Sequence, residues 1–97
     1  MNYIEALQEA IKKTHGCDSK HIESIPIIET YQNEIVWDGV VEVFELMNHP
    51  ETSICYAWGH HLEQGKKKSR YVTVLHRPPI DTPLKAVRAA IISESRE

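Results

Sequence analysis

Apolar residues recur with a helical period near the start of the chain. Ile4, Leu7 and Ile11 fall at i, i+3 and i+7, with Tyr3 and Ala10 beside them, which predicts an amphipathic helix over residues 3–14. Asn2 is placed to cap it, Glu5 to close a capping box, and Gly16 to end it. After a loop at residues 17–20 the period shortens. Residues 21–31 read as extended, and Pro26 restricts them to an edge strand or a bulge because proline cannot donate to a ladder. Gln32, Asn33 and Glu34 form a tight turn. Residues 35–47 are the strongest strand signal: Ile35, Trp37, Val41, Val43 and Met47 share one parity and give the cleaner apolar face. Gly39 marks an expected bulge or bend in this long strand.

A turn at residues 48–51 leads to a strand over 53–62. One face carries Ile54, Tyr56, Trp58, His60 and Leu62, and the other carries Cys55, Ala57, Gly59 and His61. The small residues of the second set suit a closely packed helix. A polar hairpin loop holds Lys66, Lys67 and Lys68, and residues 70–76 form the last strand. Thr82 caps a second helix, Pro83 occupies its first turn, and Leu84, Val87 and Ile91 give its apolar stripe.

The expectation is an α+β domain of order α-β-β-β-β-α. It has an antiparallel three- to four-stranded meander sheet and N- and C-terminal helices, both on one sheet face. One domain spans 1–97, with 92–97 as a frayed tail. The other sheet face would then present Tyr56 and Trp58, too apolar for water alone, and so predicts self-association (a homodimer) or a protein partner.

Composition excludes little and so leaves this picture intact. Hydrophobic residues make up 41% and charged residues 26% of the 97, ordinary for a folded protein. No run approaches the ~20 apolar residues of a membrane span, and the N-terminus has no basic or apolar leader pattern. Cys17 and Cys55 lack metal-type spacing and read as reduced thiols, which suits a cytoplasmic protein. Charge does change the picture. Residues 1–62 hold ten acidic and three basic side chains, while residues 63–97 hold four acidic and eight basic, within a net charge of −3.

The strings Trp37-Asp38-Gly39-Val40-Val41-Glu42-Val43-Phe44, His49-Pro50, Cys55-Tyr56-Ala57-Trp58 and Val72-Thr73-Val74-Leu75, with Ala86-Val87-Arg88-Ala89, resemble a family of small uncharacterised bacterial proteins. The resemblance covers residues 28–91. It implies a soluble, single-domain bacterial protein and transfers no activity, cofactor or site residue.

Four candidate chemistries follow, each beside a plainer reading. Tyr56, Trp58 and His60 next to Lys66, Lys67, Lys68 and Arg70 are a candidate binding set. Stacking aromatics beside cations hold single-stranded nucleic acid, though packing aromatics and a solvated lysine loop explain the same residues. His60 and His61, with His49, His76 or Cys55, could ligate zinc, but adjacent strand residues point to opposite faces. Cys55 with His61, or Asp38 with a histidine, could be drawn as nucleophile and base, yet Cys55 sits mid-strand like an inert thiol. Finally, the element order resembles a double-stranded RNA-binding domain, with Arg77, Lys85 and Arg88 as the available cations. The reading is therefore a non-enzymatic binding protein with no catalytic residue, metal or cofactor assigned. Weak nucleic-acid binding is the alternative, and a small enzyme or enzyme subunit the second alternative.

Overall fold

The computed structural model describes the backbone of residues 2–61 and 69–95, with the side chains of 2–59 and 71–93. Helix α1 spans Tyr3–His15. Strands β1 to β4 span Ser19–Tyr31, Glu34–Leu46, Ile54–His61 and Ser69–Leu75, and helix α2 spans Pro83–Ser95. The predicted α-β-β-β-β-α order holds, and the strands form one antiparallel meander in the order β1-β2-β3-β4. Helix α2 continues to Ser95, past the start of the expected frayed tail.

Local chemistry explains the element ends. The Asn2 side chain accepts from the Glu5 backbone N–H at 2.9 Å while the Asn2 N–H donates to Glu5 Oε1 at 3.1 Å, so the capping box forms. Gly16 adopts the left-handed conformation (φ 75°) and its N–H donates to the Lys12 carbonyl, closing the last turn. Gln32 and Asn33 both take positive φ, 50° and 65°, the geometry of a two-residue turn whose twist matches a hairpin. Thr82 Oγ1 accepts from the Lys85 N–H at 3.2 Å at the start of α2. Pro26 sits on β1, an edge strand of the sheet, as its missing donor requires.

Two expectations need correction. Gly39 is not a bulge: it pairs in register with Ile27. The register shifts instead between His21 and Glu23, and opposite Glu29 and Thr30, where Ile22 and Val36 are the extra residues. Gly39 serves a neighbour, since a Cβ there would stand 3.1 Å from Trp37 Cη2.

The larger correction concerns the helices, which cover opposite faces of the sheet rather than one. Leu7 and Ile11 of α1 pack with Phe44, Leu46, Cys55 and Ala57. Ala86 and Val87 of α2 pack with Val41, Val43, Tyr56 and Trp58. The reason is size complementarity. The small residues Cys55 and Ala57 leave depth for the large side chains of α1. The large residues Tyr56 and Trp58 fill their face so completely that only an alanine-rich helix fits over it. Both parities of β2 are consequently buried near its C-terminal end, while Ile35 and Met47, expected on the core face, are exposed.

Candidate functional site

The two-sided core removes the open aromatic face. Trp58 is 1% and Tyr56 4% exposed, within a single chain. Trp58 packs edge-on against Trp37, ring centroids 5.6 Å apart, and the Tyr56 hydroxyl pairs with His76 Nδ1 at 2.6 Å. Burial pushes the Tyr56 phenol above its ordinary range. These two members of the predicted binding set are core residues. The backbones of His60 and Arg70 face each other in the β3–β4 ladder, but their side chains, and all of Lys66, Lys67 and Lys68, lie outside the described residues. The structure therefore does not bring the predicted set together as a surface.

Of the cations named for nucleic acid, the three whose side chains are described are each engaged by a carboxylate. Arg77 pairs with Glu51 at 2.9 Å, Lys85 with Asp81 at 2.8 Å, and Arg88 with Glu29. Arg88 holds the Glu29 carboxyl below its usual range, and Lys85 does the same for Asp81.

The catalytic candidates meet physical obstacles. Cys55 is fully buried, and burial pushes its thiol up to about 12, leaving almost no thiolate at neutral pH. A serine, a histidine and a carboxylate do meet between β1 and β2. Glu42 Oε1 contacts His21 Nε2 at 2.9 Å and accepts from the Ser24 hydroxyl, which stands 3.3 Å from the same His21 nitrogen. In a hydrolytic triad the acid binds Nδ1 and leaves Nε2 to take the serine proton. Here the carboxylate occupies the nitrogen that would act as base. This trio ties the edge strand to β2 and satisfies Glu42, which is only 7% exposed. Among the described residues no group of three or more His, Cys, Asp and Glu side chains is placed to hold a metal ion.

What the structure offers instead is a split in the sheet. Pairing between β2 and β3 runs from Glu45↔Ile54 to Glu42↔Ala57. Beyond it, among the described residues, β2 continues back to Glu34 paired only with β1, and β3 continues to His61 paired only with β4. Continuing the register would set Val40 opposite Gly59, but the Gly59 N–H donates to the Tyr3 hydroxyl of α1 at 2.8 Å instead. Partial burial raises the pKa of that phenol, an effect its bond to Gly59 opposes.

The split forms a cleft of about 650 Å³ walled by Tyr3, Trp37, Trp58, Asp38, Val40 and Glu42. Its walls come from both sheet faces, as a gap through the sheet requires. Trp58 contributes a second feature: its indole N–H is buried with no acceptor among the described residues. Beside the cleft the β1–β2 hairpin exposes Ile28, Tyr31, Ile35 and Val36, near the exposed Ile92 of α2.

Sequence reasoning did not find this site. One signal was there: the strand expected over 35–47 is longer than the one expected over 53–62, so part of it must overhang. No protein-family model, curated protein or solved structure matches the chain. No helix among the described residues is long and apolar enough to cross a membrane.

Proposed function

We propose that this chain is a non-enzymatic interaction protein that holds an extended polypeptide segment in the split between β2 and β3. The observation that carries the reading is the length of β2 over residues 34–41, which among the described residues pairs only with β1. A strand paired on one side directs alternate N–H and C=O groups outward, and such an edge is the template on which a further strand adds. The exposed apolar side chains of the same hairpin supply area that an incoming segment would cover. Symmetric pairing of two copies through this arm is disfavoured by charge, because residues 19–46 hold six carboxylates and one lysine. The two unbridged cysteines fit a reducing, cytoplasmic setting, which we include in the proposal along with the bacterial origin that the sequence resemblance implies.

The test is selection of displayed random peptides on the immobilised protein, with the Ile35→Ser/Val36→Ser double variant as counter-target. Both residues are exposed, so the variant is expected to fold. The proposal predicts enrichment of peptides with alternating apolar residues that bind the wild type and lose about tenfold or more on the variant. Enriched peptides that bind both proteins equally, or no enrichment, would overturn it.

A further inference from the structure

The two outer edges of the meander are built differently. β1 carries Pro26, the carboxylates of Glu23 and Glu29, and two register shifts, all of which discourage a further strand. β4 carries none of these over residues 71–75. That stretch, Tyr71-Val72-Thr73-Val74-Leu75, has no proline and no charge and consists largely of strand formers. Its pairing to β3 is unbroken from Ser69 to Leu75, and among the described residues β4 pairs with β3 alone. We propose that this edge receives a second copy of the chain, antiparallel and about a two-fold axis at Thr73.

The backbone directions suit such pairing. The His76 N–H donates to the Ile54 carbonyl at 3.0 Å, towards β3. Direction alternates along a strand, so Val72 and Val74 also turn their polar groups to β3, while Tyr71, Thr73 and Leu75 turn theirs outward. An antiparallel copy centred on Thr73 sets Thr73 against its own counterpart and Tyr71 against the second copy's Leu75. These are all outward-facing residues, so their N–H and C=O groups gain partners in both chains.

The side chains are self-complementary on both faces. Leu75 packs against the α1 cluster and Thr73 meets His15 of α1, so residues 71, 73 and 75 lie on the α1 side. Val72 and Val74 lie on the α2 side. Pairing brings Tyr71 against the second copy's Leu75 on the first side and Val72 against its Val74 on the other. All four are partly exposed in the single chain, Tyr71 by 39%, so one pairing covers apolar surface on both faces.

Charge permits the same arrangement. The stretch has no charged residue to meet its own copy, in contrast to the acidic β1–β2 hairpin. The side of α1 that borders Tyr71 presents Ala6, Glu9, Ala10 and Lys13. Its alanines permit close approach, and a two-fold passing between Glu9 and Lys13 sets each against the opposite charge of the second copy. The split between β2 and β3 stays open in each copy, because the new strand adds on the far side of β4.

The experiment is sedimentation equilibrium of the whole protein from about 1 to 100 μM, with Thr73→Lys, Thr73→Glu and an equimolar mixture of the two. The axis sets like charges face to face in either variant alone and opposite charges in the mixed pair. The expected result is a wild type that reaches twice the chain mass and variants whose dissociation constants rise about tenfold or more. The mixture should recover the dimer. Amide exchange of the wild type reads the same edge with no substitution: Tyr71, Thr73 and Leu75 should slow as concentration rises. Ile35→Ser/Val36→Ser should associate as the wild type does, which separates this interface from the peptide site.

A wild type at the chain mass throughout would overturn the proposal. So would a dimer that both charged variants keep, or one whose amides at 71, 73 and 75 exchange alike at every concentration. Loss of the dimer in Ile35→Ser/Val36→Ser would also overturn it, by placing the contact on the β1–β2 hairpin.

Discussion

Gly59 sits where two aromatic rings and a freed backbone donor meet, and its missing side chain is what lets them do so. A Cβ there would stand 3.1 Å from Tyr3 Cε1 and 3.2 Å from Tyr71 Cδ1 and Cε1. Gly59→Ala must therefore push one ring aside, and we expect a loss of about 1–3 kcal/mol in urea unfolding. Tyr3→Phe keeps the ring and removes only the acceptor of the Gly59 N–H, so its cost should be smaller, about 0.5–1.5 kcal/mol. A Gly59→Ala variant as stable as the wild type would show that the rings are not held as described.

His15 gives a second prediction at this scale. Its Nε2 lies 3.0 Å from Thr73 Oγ1, and burial, then the proximity of His49 and Arg77, lowers its pKa from the ordinary 6.5. A lowered folded-state pKa means that the unfolded chain takes up the proton first as pH falls. The contribution is thus complete above pH 6.5 and is lost as pH drops below it, through the folded value. Melting temperature should fall between pH 7.5 and 5, and His15→Gln should show a smaller fall. Equal falls would remove His15 as a cause.

At the scale of elements, the assignment of one helix to each face makes a quantitative claim. The two core clusters share no residue: Ile11 lies in one and Val87 in the other. Ile11→Val should cost about 0.5–1.5 kcal/mol, and Val87→Ala about 2 kcal/mol from the lost methyl groups and the cavity they leave. Their double mutant should equal the sum within about 0.5 kcal/mol. Coupling well above 1 kcal/mol would point to one shared core and both helices on one face.

That distinction is also where sequence reading stopped short. Helix ends were legible because caps are local: Asn2 with Glu5, Gly16, and Thr82 before Pro83 each act within one turn. The edge position of β1 was legible from Pro26. The face taken by each helix was not, because both parities of residues 41–46 and of 54–58 are apolar, so alternation has no vote. The deciding signal was relative size, large residues on α1 against Cys55 and Ala57, alanines on α2 against Tyr56 and Trp58. This is a property of pairs of elements, not of any one stretch. The same limit hid the site. Trp58 looked like a surface aromatic when β3 was read alone, and nothing in residues 35–47 marked an open edge until the neighbouring strand proved to end its pairing at Ala57.

At the scale of the whole molecule, two closed cores surround one place where the sheet is incomplete. The packing of α1 and α2 accounts for the apolar residues that the sequence would have assigned to a partner. The unpaired backbone between β2 and β3 accounts for where a partner strand would add. Charge follows the same division, with the acidic β1–β2 hairpin forming one side of the gap. Amide hydrogen exchange followed residue by residue along β2, in the free protein and with a displayed peptide enriched on the wild type bound, tests this most directly. The account predicts uniform protection over residues 42–45, which have strands on both sides. Over 36–41 it predicts alternating slow and fast amides, the fast ones slowing when the peptide is added. Uniformly slow exchange across 36–41 in the free protein would contradict the split itself, and fast amides that the peptide leaves unchanged would contradict its role as the binding site.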